Sequence, residues 1–168
     1  STFEYLEKKQ KARRRKRLAI SALCLAVLIL VILLSRLERL RIKIITVSGT
    51  EVTNTEDITH TTQGVLNGYY FYLVPKNNLF LYPKQGISKA LQEQFPRLRE
   101  VGLSLSESQT LSVVVAEREP HALYCVSDEE NTCYFLDATG FIFDFAPSFS
   151  PGVYFTYTKE GLTDPLGE

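Results

Sequence analysis

Cys125 and Cys133 are the residues whose spacing most directly suggests a covalent bond. Seven residues separate them, and each closes one end of a short β-rich run. A hairpin joining the two runs would bring the Cα atoms to the roughly 5.5 Å that a disulfide requires. A structural cross-hairpin disulfide is therefore expected, with two buried free thiols or a metal pair as the alternatives. Cys24 lies in an apolar stretch and reads as a small apolar side chain. His60 and His121 are the only histidines, and neither belongs to an H-x-x-x-H or C-x-x-C spacing, so no metal site is expected. Glu117 and Glu119 stand two apart at the end of a β-rich run, but a carboxylate pair does acid–base work only across a cleft, which nothing here implies. Glu117-Arg118-Glu119 reads better as structure: Arg118 pairs or packs at a domain junction, and Pro120 stiffens the link. A partner-facing role for this segment is the other reading. No nucleophile elbow, phosphate loop, kinase set, β-lactamase set or Ser-Lys arrangement is present in the required order. No catalytic residue, cofactor or metal ligand is expected.

The charge of the chain is zero only on average. Eight basic side chains crowd residues 1–17 against two acids, whereas residues 36–168 hold eleven bases and seventeen acids. An acidic folded part repels phosphate, which excludes a nucleic-acid partner for it. Between the two lies Leu18 to Leu34, LAISALCLAVLILVILL, without a charge. Seventeen helical residues span about 26 Å, slightly short of a bilayer core, so the membrane helix is expected over 18–37, with Arg36 reaching back to the headgroups. The run is longer than a signal-peptide core, and the exit LSRLERLR offers no small-residue cleavage site. The excess of bases before the span puts the amino terminus in the cytoplasm and the rest outside, a single-pass type II topology in the plasma membrane. Residues 1–17 form the basic cytoplasmic tail, and the lipid bilayer is contacted through Leu18 to Leu34.

Ile42 to Val47 is β-rich and ends at the turn Ser48-Gly49-Thr50. Thr53-Asn54-Thr55-Glu56 has capping-box form, and Ile58, Val65 and Leu66 put one apolar stripe on the helix it opens, which Asn67-Gly68 ends. The stretch from Tyr69 to Pro83 is expected to be an irregular loop whose Leu79 and Phe80 plug the core. The aromatic run Tyr69 to Tyr72 carries three readings: loop packing, a partner-binding patch, or a belt at the membrane interface. Ile87, Ala90, Leu91 and Phe95 define a second helix stopped by Pro96. Val101, Leu103 and Leu105 alternate, as do Leu111, Val113 and Val115, so two strands joined by SESQT form a hairpin with a longer loop. The order is β-α-α-β-β, an α+β unit over 40–117 whose small sheet must cover one face with both helices.

A strand IKIITVSGT behind a basic tail and span, NNLF before a helix closing in FP, then LREVGLSL and TLSVVVAEREP, resembles the POTRA domain of the bacterial cell-division FtsQ/DivIB family. Val47, Gly49, Asn78, Leu79, Phe80, Glu117, Arg118 and Pro120 stand where that family's pattern would put them. The resemblance covers residues 8 to about 145. It implies a non-enzymatic bitopic protein of the divisome at the division septum, with FtsB-like and FtsL-like membrane proteins as partners. In POTRA domains the strand after the second helix tends to be an edge, which makes Arg99, Val101, Leu103 and Leu105 the candidate partner-binding strand.

Residues 118–168 continue as short β-rich runs: HALYCV, Cys133 to Leu136, the turn Asp137-Ala138-Thr139-Gly140, then Phe141 to Phe145. They resemble the opening of the family's β domain and are expected to form a partial or reduced version of it. The family's main partner contact resembles strand addition near the end of that domain. Two rival functions belong to other classes: a membrane-anchored cell-wall enzyme whose catalytic domain lies elsewhere, and the POTRA module of a secretion system.

Overall fold

Helix α1 (Thr2–Ser35) is one continuous rod in the computed structural model, which describes residues 2–106, 109–126, 132–147, 152–158 and 166–167, and side chains from residue 13 onward. The basic segment is thus helical and continuous with the apolar run. Within α1, Arg13–Ser35 is long and apolar enough to cross a membrane. Its apolar side chains from Leu18 to Leu34 are largely exposed, unlike those of a core helix. The helix stops at Ser35 and does not reach Leu37 as expected. Leu37 is extended (φ −62°, ψ 133°) and leads into a single 3-10 turn, Glu38–Leu40. The Ser35 carbonyl, which a longer helix would use internally, instead accepts a hydrogen bond from the buried Asn78 side chain at 3.0 Å.

Beyond the turn come β1 (Ile44–Ser48), α2 (Thr55–Leu66), β2 (Tyr69–Tyr70), β3 (Val74–Pro75), α3 (Lys84–Gln94), β4 (Leu98–Ser106) and β5 (Thr110–Glu117). β5 is the middle strand of a three-stranded sheet ordered β1-β5-β4, parallel to β1 and antiparallel to β4. Leu111, Val113 and Val115 of β5 turn one face inward, where Ile58 and Leu66 of α2, Ile87 and Leu91 of α3, and Leu98 and Leu103 of β4 join them. Val114 on the opposite face is exposed, so both helices cover a single side. Each fully buried Leu or Ile contributes about 1.5–3 kcal/mol.

The local signals that shape these elements differ in detail from expectation. Asn54, not Thr53, caps α2, its side chain accepting from the Glu56 amide at 2.9 Å. Such a cap contributes about 1 kcal/mol. Between the helices the chain is not wholly irregular, because β2 and β3 form a small antiparallel hairpin. Its turn is closed by the Leu73 amide on the Tyr70 carbonyl at 3.0 Å, and both central residues, Phe71 (φ 48°) and Tyr72 (φ 62°), are left-handed. That is the type I′ pattern, which favours Asn-Gly; a non-glycine residue there costs roughly 1 kcal/mol. Leu79 packs against the core as expected, but Phe80 is exposed and plugs nothing. The β4–β5 ladder runs on to Ser106 and Thr110, leaving a shorter loop than SESQT implied.

A second sheet follows, four-stranded and ordered β8-β7-β6-β9, from β6 (Ala122–Cys125), β7 (Cys133–Leu136), β8 (Ile142–Ala146) and β9 (Phe155–Thr158). Leu123, Cys125, Phe135, Phe143 and Ala146 make its own small core, with Phe135 and Phe143 stacked at 6.1 Å. The whole is mixed α+β, with an amino-terminal apolar helix and several sheets.

Candidate functional site: the edge strand and the sheet junction

β4 pairs only with β5, so one side of a nine-residue strand is an edge with no strand partner among the described residues. The structure distributes the four candidate residues unequally along it. Leu103 is buried and Val101 half-buried, both with side chains in the core, whereas Arg99 and Leu105 are exposed. At Arg99 the edge is already engaged, since the Gln92 side chain of α3 donates to its carbonyl at 3.1 Å. The available stretch therefore begins beyond Arg99 and offers main chain, with the small residues Gly102 and Ser104 between the inward side chains. A backbone edge of this kind can accept another strand with little demand on side chains.

The residues at the end of β5 do different work from one another. Glu117 turns back to the β1–α2 loop, where one carboxylate oxygen accepts from the amides of Glu51, Val52 and Thr53 at 3.1, 3.2 and 2.9 Å. Partial burial pushes this carboxyl up, but the hydrogen bonds outweigh it and hold its pKa below the ordinary value. Gly49 explains how β1 can pass so close: its φ is +87°, and a Cβ there would lie 2.1 Å from the Val115 carbonyl oxygen.

Arg118 points the other way, into the junction between the sheets. Its guanidinium donates to the Pro96 carbonyl at 3.1 Å, pairs with Asp137 and lies 4.1 Å from the centre of the Phe141 ring. Asp137 is buried, and its other oxygen accepts from the Thr139 amide and hydroxyl and the Phe141 amide. Burial alone would raise its pKa; the Thr139 hydroxyl, the Phe141 amide and Arg118 hold it at about 2. A second arginine repeats the arrangement: Arg97 Nε donates to Asp144 at 2.7 Å, and its guanidinium sits 5.3 Å from the Phe143 ring. Arg97 and Asp144 escape sequence reasoning, because nothing in the local pattern links residues 97 and 144, and of Asp137 the sequence showed the turn but not the pairing with Arg118. Pro120 lies between the sheets, half-buried, just before β6.

A disulfide joins Cys125 and Cys133, which face each other in the β6–β7 register. His60 and His121 are both exposed, and no group of three or more His, Cys, Asp and Glu gathers as a metal site among the described residues. Glu119, the second carboxylate of the strand-end pair, is exposed, while Glu117 is occupied by the loop amides. What the geometry offers is recognition and rigidity: a main-chain edge, and a clamped junction behind it. The chain matches no protein-family model and no curated protein.

Proposed function

We propose that this chain is a non-enzymatic, bitopic scaffold of the bacterial division machinery that resembles FtsQ/DivIB. In this reading residues 1–17 are cytoplasmic, the apolar helix crosses the plasma membrane, and residues 40–117 form a POTRA domain on the outside, followed by a β domain over 118–168. Its work is geometric. Confinement to the membrane surface raises its effective concentration for other anchored proteins, of the FtsB-like and FtsL-like kind, without any further contact. The POTRA sheet then receives a partner strand along β4 and delivers that partner to septal wall synthesis.

The observation that carries this reading is the main-chain edge of β4, which has no strand partner among the described residues, in a sheet that starts one short turn after a membrane-length helix. A fluorescent fusion of the full chain in dividing cells tests it. Accumulation at midcell is the expected result, and uniform membrane fluorescence throughout the cycle would contradict it.

A further inference from the structure

Phe71 and Tyr72 are the most exposed large hydrophobic side chains among the described residues, at 91% and 92%, and both hold left-handed backbone conformations that bulky residues avoid. Folding gains nothing from either ring, and the turn they form would be easier with Asn and Gly. The chain nevertheless places two aromatics at this tip, so their use must lie outside the fold.

The position of the tip says what they meet. Leu73, whose amide closes this turn, accepts a hydrogen bond on its carbonyl at 3.2 Å from Nε of Arg36, the first residue after α1. Asn78, at the other end of the loop, holds the last carbonyl of α1 and bridges to Arg41. The turn of the hairpin and the loop that follows it are thus both tied to the exit of the apolar helix. Phe80 and Leu81, just after Asn78, are also exposed, and Lys76 lies 5.9 Å from the Tyr70 ring. Aromatic rings with nearby cations, held where a span leaves the bilayer, suit the boundary between headgroups and acyl chains.

We infer that the β2–β3 hairpin is a membrane-interface anchor: Phe71 and Tyr72 insert into the outer leaflet and fix the tilt of the folded part on the membrane. A single helix leaves that part free to swing; a second contact a turn away from the exit removes the freedom and sets the direction in which the β4 edge faces. The inference rests on α1 crossing the membrane, not on the division role.

The chain contains no tryptophan, so Tyr72→Trp creates a unique reporter in the full-length protein reconstituted into vesicles of phosphatidylglycerol and phosphatidylethanolamine. Brominated acyl chains are expected to quench it and its emission to shift to the blue, while Phe155→Trp in the second sheet stays unquenched. A chain that floats with vesicles but whose residue-72 reporter behaves like the Phe155 control overturns the anchor hairpin and leaves the span standing. A chain that does not float overturns both. The paired change Phe71→Asn with Tyr72→Gly supplies the second arm, because it favours the same turn: the thermal midpoint in detergent is expected to rise. A fall would assign the rings to folding and overturn the inference.

Discussion

The guanidinium of Arg118, at the end of β5, is paired with the buried carboxylate of Asp137, in the turn after β7, and so ties the first sheet to the second. Both side chains are largely removed from water, Asp137 by burial and Arg118 by the Phe141 ring. Removing one partner leaves the other charge buried and unpaired, which costs more than the pair is worth. Asp137→Ala is expected to destabilise the second sheet by about 3 kcal/mol. Limited proteolysis of the full chain in detergent checks it, by earlier cleavage after Pro120 while the α2–α3 part stays protected.

Acid acts on the same carboxylate. The pKa of Asp137 is about 2 in the fold against an ordinary 3.8, so between those values the unfolded chain binds the proton and the folded one does not. Its stabilisation is present above about pH 4 and lost as the pH falls towards 2, amounting to about 2 kcal/mol. Glu117, also lowered, adds a loss of the same sign. Unfolding midpoints measured from pH 6 down to 2 are expected to fall, and Asp137→Asn to flatten the lower part of that curve.

Gly49→Ala is expected to be severe for so small a change. The added methyl would meet the Val115 carbonyl oxygen at 2.1 Å, on backbone with φ +87°, and backbone cannot step aside as a side chain can. A loss of at least about 2 kcal/mol follows, read as a shift in the urea midpoint. Gly64→Ala serves as the comparison: its Cβ direction is open and it lies inside α2, so the change is expected to stabilise by about 0.5–1 kcal/mol.

Reduction of the Cys125–Cys133 bond releases a short loop, with a sequence separation of eight. The loss of stability is expected to be about 2–3 kcal/mol and confined to the second sheet. Hydrogen exchange with and without reductant checks this: β6 and β7 lose protection, and β5 does not.

The edge of β4 can be blocked without touching the core. Ser104 and Ser106 are exposed on the outward face, so Ser104→Lys with Ser106→Lys should leave the stability within about 0.5 kcal/mol of the parent. Lysines on an edge discourage strand addition. Recruitment of partner membrane proteins to the variant, scored by co-purification, is expected to drop several-fold. Proline at Leu103 would be a poor probe, because that side chain is buried.

The apolar helix was readable from its unbroken uncharged run. Periodicity made α2, α3 and the β4–β5 hairpin readable, because each buries one face and the pattern of burial is written locally. The disulfide-bearing hairpin was readable for the same reason, from two β-rich runs with cysteines at matching ends. What escaped depended on contacts between distant residues. Thr53 looks like a cap until Glu117, across the sheet, takes its amide and leaves Asn54 to cap α2. Phe80 looks like core until the buried Asn78 turns the loop back to Ser35 and leaves the ring outside. Arg97, just before β4, and Asp144, in β8, meet across 47 residues of sequence, and no spacing announces it.

Labelling of intact cells with a membrane-impermeant maleimide is the most direct test of where the folded part resides. In a Cys24→Ser background, cysteine is introduced at exposed Glu56 in one variant and at exposed Lys16 in another. Labelling at position 56 with protection at position 16 is the predicted result. The reverse pattern would put the folded part in the cytosol and contradict the account.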